Sequence, residues 1–144
     1  MPVATAEFTL KRPARAGAAR RDDVTDRARR RVLVVEDEAM IALDLSDLLE
    51  SWDHVVAGIV CTMGDALQAA HEMAPDVAIV DVALGIGEDG VRVAAELKRR
   101  FACDIIFVTA WSDAGTRARM ERVGPIALLF KPYARDALRA ALAC

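Results

Sequence analysis

In the stretch "VLVVEDEAM" four aliphatic residues run straight into three adjacent carboxylates, Glu36, Asp37 and Glu38, and further along "DVAIVD" ends in Asp81. Oxygen ligands clustered without His or Cys suit a hard divalent cation, and Mg²⁺ takes a few carboxylates while keeping its other positions for water or phosphate. Carboxylates brought together repel one another, and a metal charge relieves that repulsion. An Asp beside Mg²⁺ can act as a nucleophile toward a phosphoryl group. Thr109 in "IIFVTAW" and Lys131 in "LLFKPY" add a hydroxyl and an amine, the groups that hold and neutralise phosphoryl oxygens. These residue types supply the parts that phosphoryl transfer to a carboxylate requires.

Such residues act together only if the chain brings them together. The apolar runs "RVLVVED", "HVVAGIV", "DVAIVDV", "CDIIFVTA" and "PIALLFK" read as five strands, and stretches of helical apolar spacing follow them at about 40–52, 63–73, 90–101, 112–123 and 135–143. Continuously apolar strands alternating with helices imply an α/β domain, a doubly wound five-stranded parallel sheet with its two faces covered by five helices. In such a sheet ligands bind at the carboxyl ends of the strands, near the point where strand order reverses. Glu36 and Asp37 end the first strand, Asp81 the third, Thr109 the fourth and Lys131 the fifth, so all five residues face one edge.

Charge divides the chain. Residues 1–31 hold nine Lys and Arg against four Asp and Glu, whereas residues 32–144 hold ten against eighteen. Residues 1–30 are therefore expected to form a mobile basic extension ahead of a domain over 31–144. A basic arm could touch nucleic acid, but no aromatic residues interleave its arginines, and a solvated extension is favoured. Three widely spaced Cys without a C-x-x-C pair argue against a disulfide framework and a zinc site, so a reducing cytoplasm is the expected location. The apolar runs are too short to cross a bilayer and no signal peptide opens the chain. Cys61 and Cys103 read as small buried hydrophobes, and His54 and His71, without partners at ligand spacing, as surface or satisfied side chains.

Each site residue alone has a plainer reading. The three adjacent acids could serve the N-terminus of the following helix, Asp81 a turn, Thr109 a strand end and Lys131 a solvated charge. Their joint placement favours a phosphoacceptor site.

From Arg31 onward the chain resembles the receiver domain of two-component response regulators, with "VLVVEDE", "VDV", "FVTA" and "FKPY" at matching strand ends. The resemblance implies the flavodoxin-like receiver fold. It implies that Asp81 accepts a phosphoryl group from a histidine kinase or phosphotransfer protein, in a step the domain itself catalyses. Glu36 and Asp37 would hold Mg²⁺ with Asp81 and the backbone carbonyl of Ala83, and Thr109 and Lys131 would contact the phosphoryl oxygens. The Lys131–Pro132 bond is often cis in such domains.

Three departures from the family pattern stand out. Leu128 occupies the place of the switch aromatic, with Phe107, Trp111 and Tyr133 as aromatics that could take over its signal. Gly85 stands where Pro is common, in a loop one residue longer before Gly90. Ala83 has no side chain to shape attack by water. Thirteen residues follow Lys131, so output is expected through a downstream protein partner, through competition for phosphoryl groups, or through homodimerisation by the fourth and fifth helices. In the first helix Ile41, Leu45, Leu48 and Leu49 should form the buried stripe, and Met40, Asp44, Asp47 and Ser51 a face on which a kinase could dock. The reading is a single-domain response regulator. The alternative is a pseudo-receiver that keeps fold and metal site but does not switch by phosphorylation.

Overall fold

The computed structural model describes residues 29–85, 87–110 and 113–144. The expectations for residues 1–28 and for Trp111 lie outside the described residues. Strands β1 (Arg31–Val35), β2 (Val55–Val60), β3 (Val77–Asp81), β4 (Asp104–Thr109) and β5 (Ala127–Phe130) alternate with helices α1 (Ala39–Ser51), α2 (Met63–Met73), α3 (Gly90–Phe101), α4 (Ala114–Val123) and α5 (Arg135–Leu142). The second and third helices match the expected bounds, and the others begin or end within two residues of them.

The strands form one parallel sheet in the order β2-β1-β3-β4-β5. From β1 the chain steps outward to β2, then returns to place β3 on the other side of β1. Strand order therefore reverses between β1 and β3, and this opens a crevice at their carboxyl ends. The ends that meet there carry Glu36, Asp37 and Asp81.

Alternation along the strands sends side chains to two cores. Leu33, Val35, Ala78, Val80, Ile105, Phe107 and Leu128 face α2, α3 and α4, meeting Ala66, Ala70, Leu97 and Met120. Val32, Val34, Ile79, Ile106, Val108 and Leu129 face α1 and α5, meeting Leu45, Leu49, Leu138 and Leu142. Full burial of one such Leu or Ile is worth about 1.5–3 kcal/mol.

In α1 the fully buried residues are Ala42, Leu45 and Leu49, while Ile41 and Leu48 are only partly covered. The expected stripe is thus rotated toward Ala42, whose small side chain lets the helix lie close to the sheet. Cys103 is buried as expected, but Cys61 is exposed. It lies just beyond the end of β2, which among the described residues is an edge strand, paired only with β1.

Side-chain caps explain where three helices begin. Thr62 accepts from the Asp65 N–H, Asp89 from the Val91 N–H and Asp113 from the Thr116 N–H. At α1 the N-cap position belongs to Glu38, whose side chain makes no capping bond, and the first turn holds no acid. The plain reading of the three acids as helix-capping residues therefore fails for Glu38; Glu36 Oε1 accepts from the Glu38 N–H at 3.2 Å, and Asp37 accepts from Gly85.

At the opposite end of the sheet, Arg30 closes the domain. Its guanidinium donates to the Cys144 carbonyl at 2.8 Å and pairs with Asp104 at 3.4 Å, and its N–H donates to His54 Nδ1 at 3.0 Å. His54 is thus a buried, satisfied histidine, and burial followed by the nearby Arg139 charge holds its pKa below the usual value. Arg30→Ala removes the guanidinium bonds to Cys144 and Asp104, and we expect it to cost about 2 kcal/mol in urea unfolding. Exposed Arg29→Ala should lie within about 0.5 kcal/mol of wild type. Equal midpoints for the two variants would contradict the anchoring role.

Candidate functional site

Glu36 continues β1 by one residue, its N–H donating to the Val60 carbonyl of β2 at 2.9 Å. That bond fixes its backbone, and the side chain is buried in the crevice. Asp37 follows in the turn into α1 and is exposed, with Oδ2 accepting from the Gly85 N–H at 2.8 Å. Asp81 ends β3 and is buried, and its Oδ1 accepts from the Ala83 N–H at 3.0 Å. Ligand oxygens of Glu36, Asp37 and Asp81 all lie within 4.8 Å of one another.

Lys131 follows β5 and reaches across β4 into this cluster. Its Nζ stands 3.1 Å from Asp81 Oδ2 and 3.6 Å from Glu36 Oε2. Its N–H donates to the Thr109 carbonyl at 2.7 Å, which ties the ends of β4 and β5 together. The Lys131–Pro132 peptide is cis. Thr109 is buried at the end of β4, where Asp81 pairs in register with Val108, so Thr109 lies one step beyond Asp81 on the neighbouring strand. The structure thus brings Glu36, Asp37, Asp81, Thr109 and Lys131 to one edge.

The electrostatics of the site are unbalanced. Burial, and next the charge of Asp81, raise the Glu36 pKa from the usual 4.5 to about 7. Burial alone would lower the Lys131 pKa, but Asp81 and Glu36 outweigh it and hold the ammonium above its usual range. The ammonium contacts two carboxylates, Asp81 and Glu36, and does not cancel the effect of burial and of the Asp81 charge on Glu36. An all-oxygen donor set with unrelieved repulsion fits a hard divalent cation.

The raised pKa has a defined sign in stability. Between pH 4.5 and about 7 the native state binds more protons at Glu36 than the unfolded chain does. This group's contribution is therefore fully present below pH 4.5 and is lost as the pH rises through about 7. A cation at the site must displace that proton, so the stabilisation by Mg²⁺ should grow as pH rises and level off above about 7. Thermal unfolding with and without Mg²⁺ across this range checks it, and a pH-independent Mg²⁺ effect would count against the assignment.

The loop between Asp81 and α3 is tied down on several sides. Gly85 bonds Asp37, Glu88 Oε2 accepts from the Met63 N–H at 3.3 Å, and Asp89 forms an ion pair with Arg119 of α4. Gly90 opens α3 so close to β3 that a Cβ there would lie 2.0 Å from the Asp81 carbonyl oxygen. Ala83 is exposed in this loop.

The aromatic candidates separate in the structure. Phe107 is fully enclosed in the core and Tyr133 packs on the α1–α5 side, with burial first among the causes that raise its pKa. Leu128, in the place of the switch aromatic, is buried in the same core as Phe107. The sequence reading passed over Phe130, which faces α4 beneath the Arg117 guanidinium at 5.6 Å from the ring centroid. Its place directly before Lys131 was the available signal.

Comparison with known proteins agrees with the fold. The family model for the response regulator receiver domain matches residues 32–143. The chain belongs to the receiver-domain family of response regulators. Similar proteins include the phyllosphere-induced regulator PhyR of Methylorubrum extorquens, 33% identical over 71% of this chain and 38% of that protein. The transcriptional regulatory protein PdtaR of Mycobacterium tuberculosis is 33% identical over 72% of this chain and 50% of that one. The chain thus spans half or less of the length of these relatives. Among solved structures, the receiver domain of a modulated diguanylate cyclase from Desulfovibrio desulfuricans is 37% identical, with a TM-score of 0.74 over 78% of this chain and 90% of that one. The receiver domain of Erythrobacter litoralis PhyR is 28% identical, with a TM-score of 0.70 over 79% and 87%. Among the described residues no helix is long and apolar enough to cross a membrane.

Proposed function

We propose that this domain is a phosphoacceptor in two-component signalling, taking a phosphoryl group on Asp81 from the phosphohistidine of a kinase or phosphotransfer protein. The observation that carries this reading is the meeting of Glu36, Asp37, Asp81 and Lys131 at the point where strand order reverses. An Asp81 oxygen attacks phosphorus, the O–P bond forms as the P–N bond breaks, and the leaving imidazole keeps the electron pair and takes up a proton. Glu36, Asp37, Asp81 and the Ala83 carbonyl are the residues that would hold Mg²⁺. When bound, the ion would neutralise charge on the phosphoryl oxygens.

The chain's own residues do the rest. The Ala83 N–H, bonded to Oδ1, orients the Asp81 carboxylate. Lys131 stands where it can pass from Asp81 to a phosphoryl oxygen, and Thr109 supplies a hydroxyl one step beyond Asp81. On α1, exposed Met40 and Leu43 beside Asp44 and Asp47 offer the donor protein an apolar and acidic surface adjoining the site.

Intact mass after incubation with acetyl phosphate tests this reading. We expect one phosphoryl adduct that requires Mg²⁺. The absence of an adduct, together with no change in the spectrum on adding beryllofluoride and Mg²⁺, would leave the pseudo-receiver, a module that binds partners without switching.

A further inference from the structure

Leu128 occupies the place where the family resemblance implies a switch aromatic. Leu128 is 2% exposed and lies in the core that also holds Phe107. The ends of β4 and β5 hold another arrangement. Thr109 pairs in register with Phe130, and the next residue, Lys131, donates its N–H to the Thr109 carbonyl at 2.7 Å. Phe130 is thereby clamped to the strand end that carries the site's hydroxyl, and to the residue whose ammonium contacts Asp81.

The Phe130 ring points the other way, toward α4. It is partly buried, packs on the core shared with Met120 and Leu128, and is roofed by the Arg117 guanidinium at 5.6 Å from the centroid. Arg117 also pairs with Glu121 one turn on, at 3.2 Å, so the guanidinium is held between ring and carboxylate on one face of α4. A cation over an aromatic face attracts it with modest energy at a partly exposed site, small enough to be exchanged for another arrangement. A second link runs from the Asp81 loop to the same helix through Asp89 and Arg119.

We propose that Phe130 and Arg117 form the relay by which occupancy of the Asp81 site reaches α4. This rests on the phosphoacceptor reading and adds the route of its output. When Thr109 and Lys131 close on a phosphoryl group, the Phe130–Lys131 peptide, whose N–H is bonded to the Thr109 carbonyl, moves with both, the ring shifts beneath Arg117, and α4 changes its seating against β5. The occupied and empty states then differ in the Arg117–Phe130 contact, which is what a population shift requires.

The test follows backbone amide shifts of the full chain on adding beryllofluoride with Mg²⁺, as a mimic of the phosphorylated state, in wild type, Phe130→Leu, Phe130→Tyr and Arg117→Gln. Wild type should respond both around Asp81 and Lys131 and along α4. Phe130→Leu and Arg117→Gln should keep the response around Asp81 while the α4 response falls about threefold, and Phe130→Tyr, which keeps the ring, should restore it. Arg117 lies at the surface, so its variant remains informative even if Phe130→Leu is poorly folded. An undiminished α4 response in Arg117→Gln, with the site responding normally, overturns the relay alone. No response around Asp81 in wild type overturns the phosphoacceptor reading, and the relay with it.

Discussion

Asp81→Asn is expected to abolish the Mg²⁺-dependent phosphoryl adduct altogether. A carboxamide is nearly isosteric with the carboxylate but offers no anionic oxygen to attack phosphorus, so the loss is of chemistry rather than of shape. The same substitution has a second consequence that shape alone would not produce. The Asp81 charge is the second cause, after burial, of the raised Glu36 pKa. With Asn in its place the Glu36 midpoint should fall from about 7 toward, though not to, the usual 4.5, because burial persists. Carbon-detected NMR titration of the Glu36 carboxyl reads this directly. An adduct that survives in Asp81→Asn would move the phosphoacceptor elsewhere, and an unchanged Glu36 midpoint would deny the coupling between the two carboxylates.

Gly90→Ala should be the most destabilising single substitution near the site. In an ordinary helix such a change is favourable, by up to about 1 kcal/mol. Here the added Cβ would stand 2.0 Å from the Asp81 carbonyl oxygen and 2.7 Å from the Val82 Cα, both backbone atoms. No side chain can swing away, so α3 must lift from β3 and carry the Asp81 loop with it. We expect a loss of about 3 kcal/mol or more, with slowed phosphorylation, since Asp81 loses its fixed orientation. Gly64→Ala is the matched comparison: it lies in the first turn of α2 and its Cβ would meet nothing within 4 Å. That variant should be neutral or stabilised by a few tenths of a kcal/mol. Similar unfolding midpoints for the two would refute the close approach of α3 to the strand.

Much of this was legible in the chain because parallel strands buried on both faces are continuously apolar and the helices between them keep their own period. "RVLVV" and "VAIVD" announce strands, and the acids that end them announce an edge without needing any distance. Ile41 was misjudged for a related reason. Size and hydropathy favoured it for the buried stripe, but a helix lying close to a sheet prefers Ala42 at the point of contact. Cys61 was misjudged because burial near a strand end depends on whether the strand has one neighbour or two, and strand order is not a local property. Arg30 looked like one more charge of a basic segment, and only the arrival of Cys144 and Asp104 from distant parts of the chain makes it a buried anchor.

The sequence by itself determined the elements, their alternation and the residue types at each strand end, since these follow from periodicity and side-chain chemistry within a few residues. The tertiary structure alone decided that the sheet reverses between β1 and β3, which turns separate acids into one cluster. It alone decided that Gly90 must have no side chain, that Glu36 holds its proton to about pH 7, and that Phe130 lies under Arg117. Each of these depends on through-space distance, on excluded volume, desolvation and Coulomb interaction between residues remote in the chain, and such distances exist only once the chain has folded.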